Sequence, residues 1–227
     1  SIYKKMKINL FLSFVFLSLL FQVKNVDYLK NVQDWVDKVY QTIYSVGCWH
    51  KSPHPSTFDD IKRMKTINCA SSVSITYQQA GLIEKGKKVS HTPACGIHND
   101  LEALRKYYDN SDLKKSLKLT MVHPENLKRG TCDLVKVMKK FKEMPAWLQQ
   151  KGVLYVQNSN ICISAGNQKI YSCNSTNQQY GPGKNEVLRE DRIGEYAFRS
   201  LILWAVVPRS NGKSNVPNDT PYKHLEC

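Results

Sequence analysis

The hydrophobic pattern of this chain changes its period once, close to residue 130, and that change limits the fold more than any single motif does. Ahead of it, apolar residues recur at three- and four-residue spacing, the signature of helices packed on one face. Leu29, Val32, Trp35, Val36, Val39, Tyr40 and Ile43 mark an amphipathic helix over residues 26–46, ended by Gly47. Residues 59–64 make a short helical turn, and 99–108 a further helix with Leu101, Leu104 and Tyr107 on one side. Behind the change come short apolar or alternating runs at 131–138, 153–156, 160–165, 169–173 and 196–207, the last closed by Pro208. His123-Pro124-Glu125-Asn126 is a turn, and Gly166-Asn167 is a tight-hairpin signal. Helices followed by a strand meander predict an α+β fold, with N-terminal helices packed on an antiparallel sheet. Hydrophobic residues make up 41% of the 227-residue chain, enough for one sizeable core. The expected organisation is one domain over 24–208 with a polar insertion around 82–127, followed by a tail over 209–227 that is loose apart from Cys227 if that cysteine is bridged.

Residues 1–23 have the form of a secretory signal peptide. Lys4, Lys5 and Lys7 give the positive start, and 10–21 form an apolar run broken only by Ser13 and Ser18. The run is shorter than the about 20 residues a membrane span needs, so a cleaved signal is expected rather than an anchor. The residues ahead of Met6 look like upstream sequence. The expected product is secreted and extracellular. Losing 1–23 removes three lysines and no acid, which lowers the formal charge from +14 to +11. The seven cysteines are Cys48, Cys69, Cys95, Cys132, Cys162, Cys173 and Cys227. An odd number outside the cell predicts disulfides plus one free thiol, with the pairing left open. Asn174-Ser175-Thr176 and Asn218-Asp219-Thr220 are glycosylation sequons that fit a secreted protein.

Chemistry is best placed on Thr66-Ile67-Asn68-Cys69-Ala70-Ser71-Ser72-Val73-Ser74-Ile75-Thr76-Tyr77-Gln78-Gln79-Ala80-Gly81. Ala70, Val73, Tyr77 and Ala80 form a helical stripe, Asn68 is a good N-cap, and Gly81 supplies the stop. Cys69 then sits at the positive end of the helix, a position that favours the nucleophilic thiolate. The competing expectation is a buried cysteine in a core helix.

The order of these elements resembles that of the NlpC-like cell-wall peptidases, papain-fold cysteine hydrolases that cut peptidoglycan stem peptides. The resemblance rests on a helix, a loop with Trp49, a cysteine opening a helix that ends in Gln79-Ala80-Gly81, and a Gly-Asn hairpin. Asn68-Cys69-Ala70-Ser71 stands where the family has Asp-Cys-Ser-Gly. Lys128-Arg129-Gly130-Thr131-Cys132-Asp133-Leu134-Val135 looks like its Pro-Gly-Asp segment, and residues 159–172 look like its second and third strands. The resemblance covers about residues 30–207 and implies that Cys69 is the nucleophile. It also implies a base at the position of Asn160 and an orienting group at that of Ser172, where the family carries histidines. Neither Asn160 nor Ser172 titrates near neutral pH. A substitute base would have to come from the loop histidines His50, His54, His91 or His98. A one-residue slip would put Ser159 or Ile161 at the base position, which restores nothing.

Two functions remain open. One is a secreted cysteine hydrolase acting on peptidoglycan stem peptides through a Cys69 thiolate. The other is a catalytically inactive binding or structural protein on the same fold. Cys95-Gly96-Ile97-His98 and Cys48-Trp49-His50 have zinc-ligand residue types but no second Cys-x-x-Cys pair, so neither a metal nor a cofactor is expected. Lys128, Arg129, Lys136, Lys139, Lys140 and Lys142 form the strongest basic run, with Tyr107, Tyr108, Phe141 and Trp147 near it. No nucleic-acid recognition motif accompanies them, so a solvated face is the default. Peptidoglycan or another anionic surface is the expected partner, held with salt-sensitive affinity.

Overall fold

The computed structural model of the protein describes residues 25–46, 54–64, 67–87, 101–119, 122–157, 160–172 and 200–227. The expected signal segment, Cys48, Cys95, Cys173, His50, His91, His98 and Asn174 lie outside these. Helices α1 (Tyr28–Val46), α2 (Phe58–Met64) and α3 (Cys69–Gln79) come first, then α4 (Leu101–Asp109) and α5 (Leu113–Leu119). Six strands follow, β1 (Cys132–Lys139), β2 (Leu154–Gln157), β3 (Ile161–Gly166), β4 (Lys169–Tyr171), β5 (Ile202–Pro208) and β6 (His224–Glu226), with the short α6 (Ala146–Gln149) between β1 and β2. They form one sheet in the order β4-β3-β2-β5-β1-β6, and every neighbouring pair is antiparallel. The expected α+β layering is present.

Alternation along the strands gives the sheet two apolar faces. Leu134, Leu154, Val156, Ile161, Ile163 and Val206 pack toward the helices, joining Val32, Val36, Val39, Tyr40 and Ile43 of α1. Val135, Val137, Tyr155, Cys162, Ala205 and Val207 face the other way, onto Phe141, Met144, Leu148 and Val216. The second face is therefore covered by the β1–β2 connection and by the C-terminal segment.

α3 is the centre of the helical layer, buried on every side from Cys69 to Tyr77. Ser72, Ser74 and Thr76 enter the core because their hydroxyls fold back on the helix. Ser72 Oγ donates to the Cys69 carbonyl (2.8 Å), Ser74 Oγ to that of Ala70 (2.6 Å), and Thr76 Oγ1 to that of Ser72 (2.9 Å). At its start Asn68 Oδ1 accepts from the Ser71 amide (2.8 Å). At its end Leu82 N donates to Tyr77 O (2.9 Å) and Gly81 N to Gln78 O (3.1 Å), with Gly81 at φ 87°. This paired closure is the Schellman arrangement, which needs the left-handed conformation that glycine takes freely. Tyr77 Oη ties the helix to the sheet through the carbonyls of Gly152 (3.0 Å) and Val206 (3.2 Å). Gly152 itself admits α1: a β-carbon there would lie 2.9 Å from Val32 Cγ1.

Three details differ from the sequence expectation. The hairpin loop is Asn167-Gln168, at φ 50° and 61°, one residue later than Gly166-Asn167, since Gly166 still pairs with Lys169. The region taken as an insertion contributes to the core: Tyr108 meets Trp204 edge-on at 4.6 Å, and Leu117 is fully buried. The tail is not loose. It returns as β6 beside β1, joined by the Cys132–Cys227 disulfide, while Arg209 binds Asp133 (2.7 Å) and Glu226 (2.8 Å). Polar composition hid this, because the tail is anchored by a covalent bond and ion pairs rather than by an apolar stripe.

Candidate functional site

Cys69 begins α3 and is 5% exposed. Its sulfur faces the backbone amides of Ile161, Ala70 and Cys69 itself, which stabilise negative charge. Burial outweighs them and pushes the thiol up from its ordinary value, so it stays protonated at neutral pH. Tyr40 lies on the same side, with its hydroxyl 3.1 Å from Ser72 Oγ and its ring stacked on Tyr171 at 4.7 Å. Burial also raises the Tyr40 phenol, which leaves a dry set of neutral groups around the sulfur.

Asn160 and Ser172 do come together. Asn160 Nδ2 lies 3.0 Å from Ser172 Oγ and donates to Gln157 Oε1 at 3.1 Å, and all three residues are at least 97% buried. Cys162 joins them, with its sulfur 3.9 Å from Gln157 Oε1. Among the described residues no hydrogen bond joins Asn160 or Ser172 to Cys69. Ile161, Ile163 and Tyr171 pack into the helix-side core, whereas Cys162 and Ile170 belong to the opposite face. Asn160 and Ser172 lie just outside β3 and β4, and their bonded group reaches Cys162, whose thiol is raised by burial and then by the charge of Cys69. The strand residue presented to Cys69 is Ile161, through its amide. A backbone amide can donate to a thiolate but cannot take up its proton.

Among the described residues, no histidine acts on the Cys69 thiol. His54 precedes α2; His123 pairs with Glu125 at 3.0 Å, and His224 lies exposed on β6. The expected substitutes His50, His91 and His98 fall outside the described residues, as do the Cys48 and Cys95 pairs weighed for zinc. Among the described residues no group of three His, Cys, Asp or Glu side chains could hold a metal ion, and no helix is long and apolar enough to cross a membrane. Gln157 was missed from the sequence. Its signal was a polar residue ending a short apolar strand three positions before Asn160.

The fold and this site define an α+β protein whose helix-opening cysteine lies buried against an antiparallel six-stranded sheet. No family model, curated protein or solved structure matches the chain.

Proposed function

We propose that this chain is a secreted, NlpC-like domain of papain type that has no peptidase activity and binds an anionic wall polymer such as peptidoglycan. The observation that carries the loss of activity is the burial of Cys69, which is 5% exposed, has a thiol pushed up from its ordinary value and meets the amide of Ile161, while Asn160 and Ser172 bond to each other. Acyl transfer needs a thiolate and a group that returns its proton, and the described residues around Cys69 supply neither. The element order, the Asn68-capped cysteine helix and the hairpin support the architecture. The formal charge of +11 expected without residues 1–23 supports the sign of the partner.

The test is sedimentation with purified peptidoglycan at low and high salt, with soluble fragments assayed in parallel. The account expects salt-sensitive co-sedimentation, no released fragments and no change in Cys69→Ala. Fragment release that Cys69→Ala abolishes would restore the hydrolase reading. That reading draws on one observation, the three amides directed at the Cys69 sulfur.

A further inference from the structure

We propose a second site, a cleft for a small multiply charged anion where the C-terminal segment meets β1. It is a cavity of about 480 Å³ lined by Asp109, Lys136, Met138, Lys139, Tyr222 and Lys223, among others. That volume suits a ligand between a phosphate ester and a short sugar or peptide acid.

The cleft follows from an interruption in pairing. β6 covers β1 only as far as Val135, opposite His224, after which a single bond from Lys136 N to Lys223 O (2.9 Å) continues the contact. Against β5 the register shifts between Lys136 and Lys139, and Met138 takes φ 54°. The edge therefore bends away from the tail just where the two basic segments meet.

Charge decides what the cleft accepts. Its three lysines face one acid, Asp109, and Lys136 already engages it at 3.6 Å while also donating to the Tyr108 carbonyl. Lys139 lies over the Tyr222 ring, 5.4 Å from its centre, and Lys223 comes from the facing segment. Lys139 on β1 and Lys223 just ahead of β6 thus line the same cleft, and Asp109 is the one acid among the described lining residues. An anion bridging the two lysines relieves their repulsion, and the Tyr222 ring and Met138 give its body an apolar floor. Lysine ammonium groups are point charges without a planar fork, so they select charge density rather than carboxylate geometry. This explains two of the lysines in the basic run, which a merely solvated face would leave without a purpose. The tail forms one wall, so Cys132–Cys227 holds the site closed.

The site does not depend on the state of Cys69. Pyrophosphate and citrate serve as phosphate and carboxylate probes, titrated into the full chain by calorimetry at low salt. Wild type is expected to bind at least one of them at a single site. Lys139→Ala and Lys223→Ala should each weaken it about threefold and the double variant about tenfold, as expected for partly exposed charge contacts. Lys114→Ala, on an exposed face of α5, should bind as wild type does. The Cys227→Ser variant should bind more weakly while keeping its helical circular dichroism. Absence of binding by wild type to both probes, or equal loss in Lys114→Ala and Lys223→Ala, would overturn the proposal. Cys69 alkylation and fragment release from peptidoglycan are read independently of either result, so the two proposals fail separately.

Discussion

Replacing Arg209 by alanine should be among the most damaging single changes outside the apolar core. Arg209 reaches Asp133 through two of its nitrogens, Nη2 to Oδ1 at 2.7 Å and Nε to Oδ2 at 3.1 Å. The side chains of Asp133 and Arg209 are 2% and 16% exposed, so this is a nearly dry ion pair. Its third contact, Nη1 to Glu226 at 2.8 Å, joins an acid that is 44% exposed. Breaking a buried pair from one side costs about 3–5 kcal/mol, because the remaining charge stays desolvated without a partner. The exposed arm adds at most about 1 kcal/mol. Water entering the space left by the guanidinium moderates the first figure, so the expected loss is about 3 kcal/mol in urea unfolding at pH 7. The double variant Asp133→Asn/Arg209→Ala should recover part of it, since a neutral amide is cheaper to leave buried. Glu226→Gln should cost less than about 1 kcal/mol. A loss below about 1 kcal/mol in Arg209→Ala, with no recovery in the double variant, would refute the claim that this pair fastens the tail to β1.

The disulfide spans a sequence separation of 95 residues, so Cys227→Ser should lower stability by about 2–4 kcal/mol and release β6, read by urea unfolding and amide exchange. An unchanged midpoint would mean that the ion pairs alone hold the tail. Asp60 is held down to about 2, chiefly by its bond to Arg63 at 2.6 Å and then by Thr57. A folded value below the unfolded one gives stability that is present above the ordinary carboxylate range and fades as pH falls toward 2. An NMR titration should therefore place the Asp60 midpoint near 2 and move it upward in Arg63→Ala; an ordinary carboxylate midpoint in wild type would contradict this.

Much of the fold was legible because local and global preferences agree. The stripe of α1, the cap and stop of α3 and the short strands all follow from spacing and turn residues. What escaped were features set by distant partners. Asp133 and Arg209 lie in unrelated stretches, and nothing local marks either as buried. α4 and α5 looked like an insertion because few of their residues are apolar, yet Tyr108 and Leu117 alone are enough to cover Trp204 and its neighbours. At the candidate site, the sequence placed Cys69 correctly at a helix start, but the face of each β3 residue depends on register. The residue whose amide reaches the sulfur is Ile161, one position after Asn160.

The most direct measurement is the pH dependence of alkylation at Cys69, followed on its own peptide by mass spectrometry so that Cys162 and the other thiols do not contribute. Burial raises Cys69, and Cys162 as well, so folding keeps both protonated where unfolded thiols ionise. Their contribution to stability is complete below the unfolded thiol range and is lost as pH rises through the folded values. The account predicts slow labelling that still climbs past pH ~8.5, with no plateau beneath it. A plateau reached at about pH 7 or below, with rapid labelling of the folded protein, would show an activated thiolate and contradict the central claim.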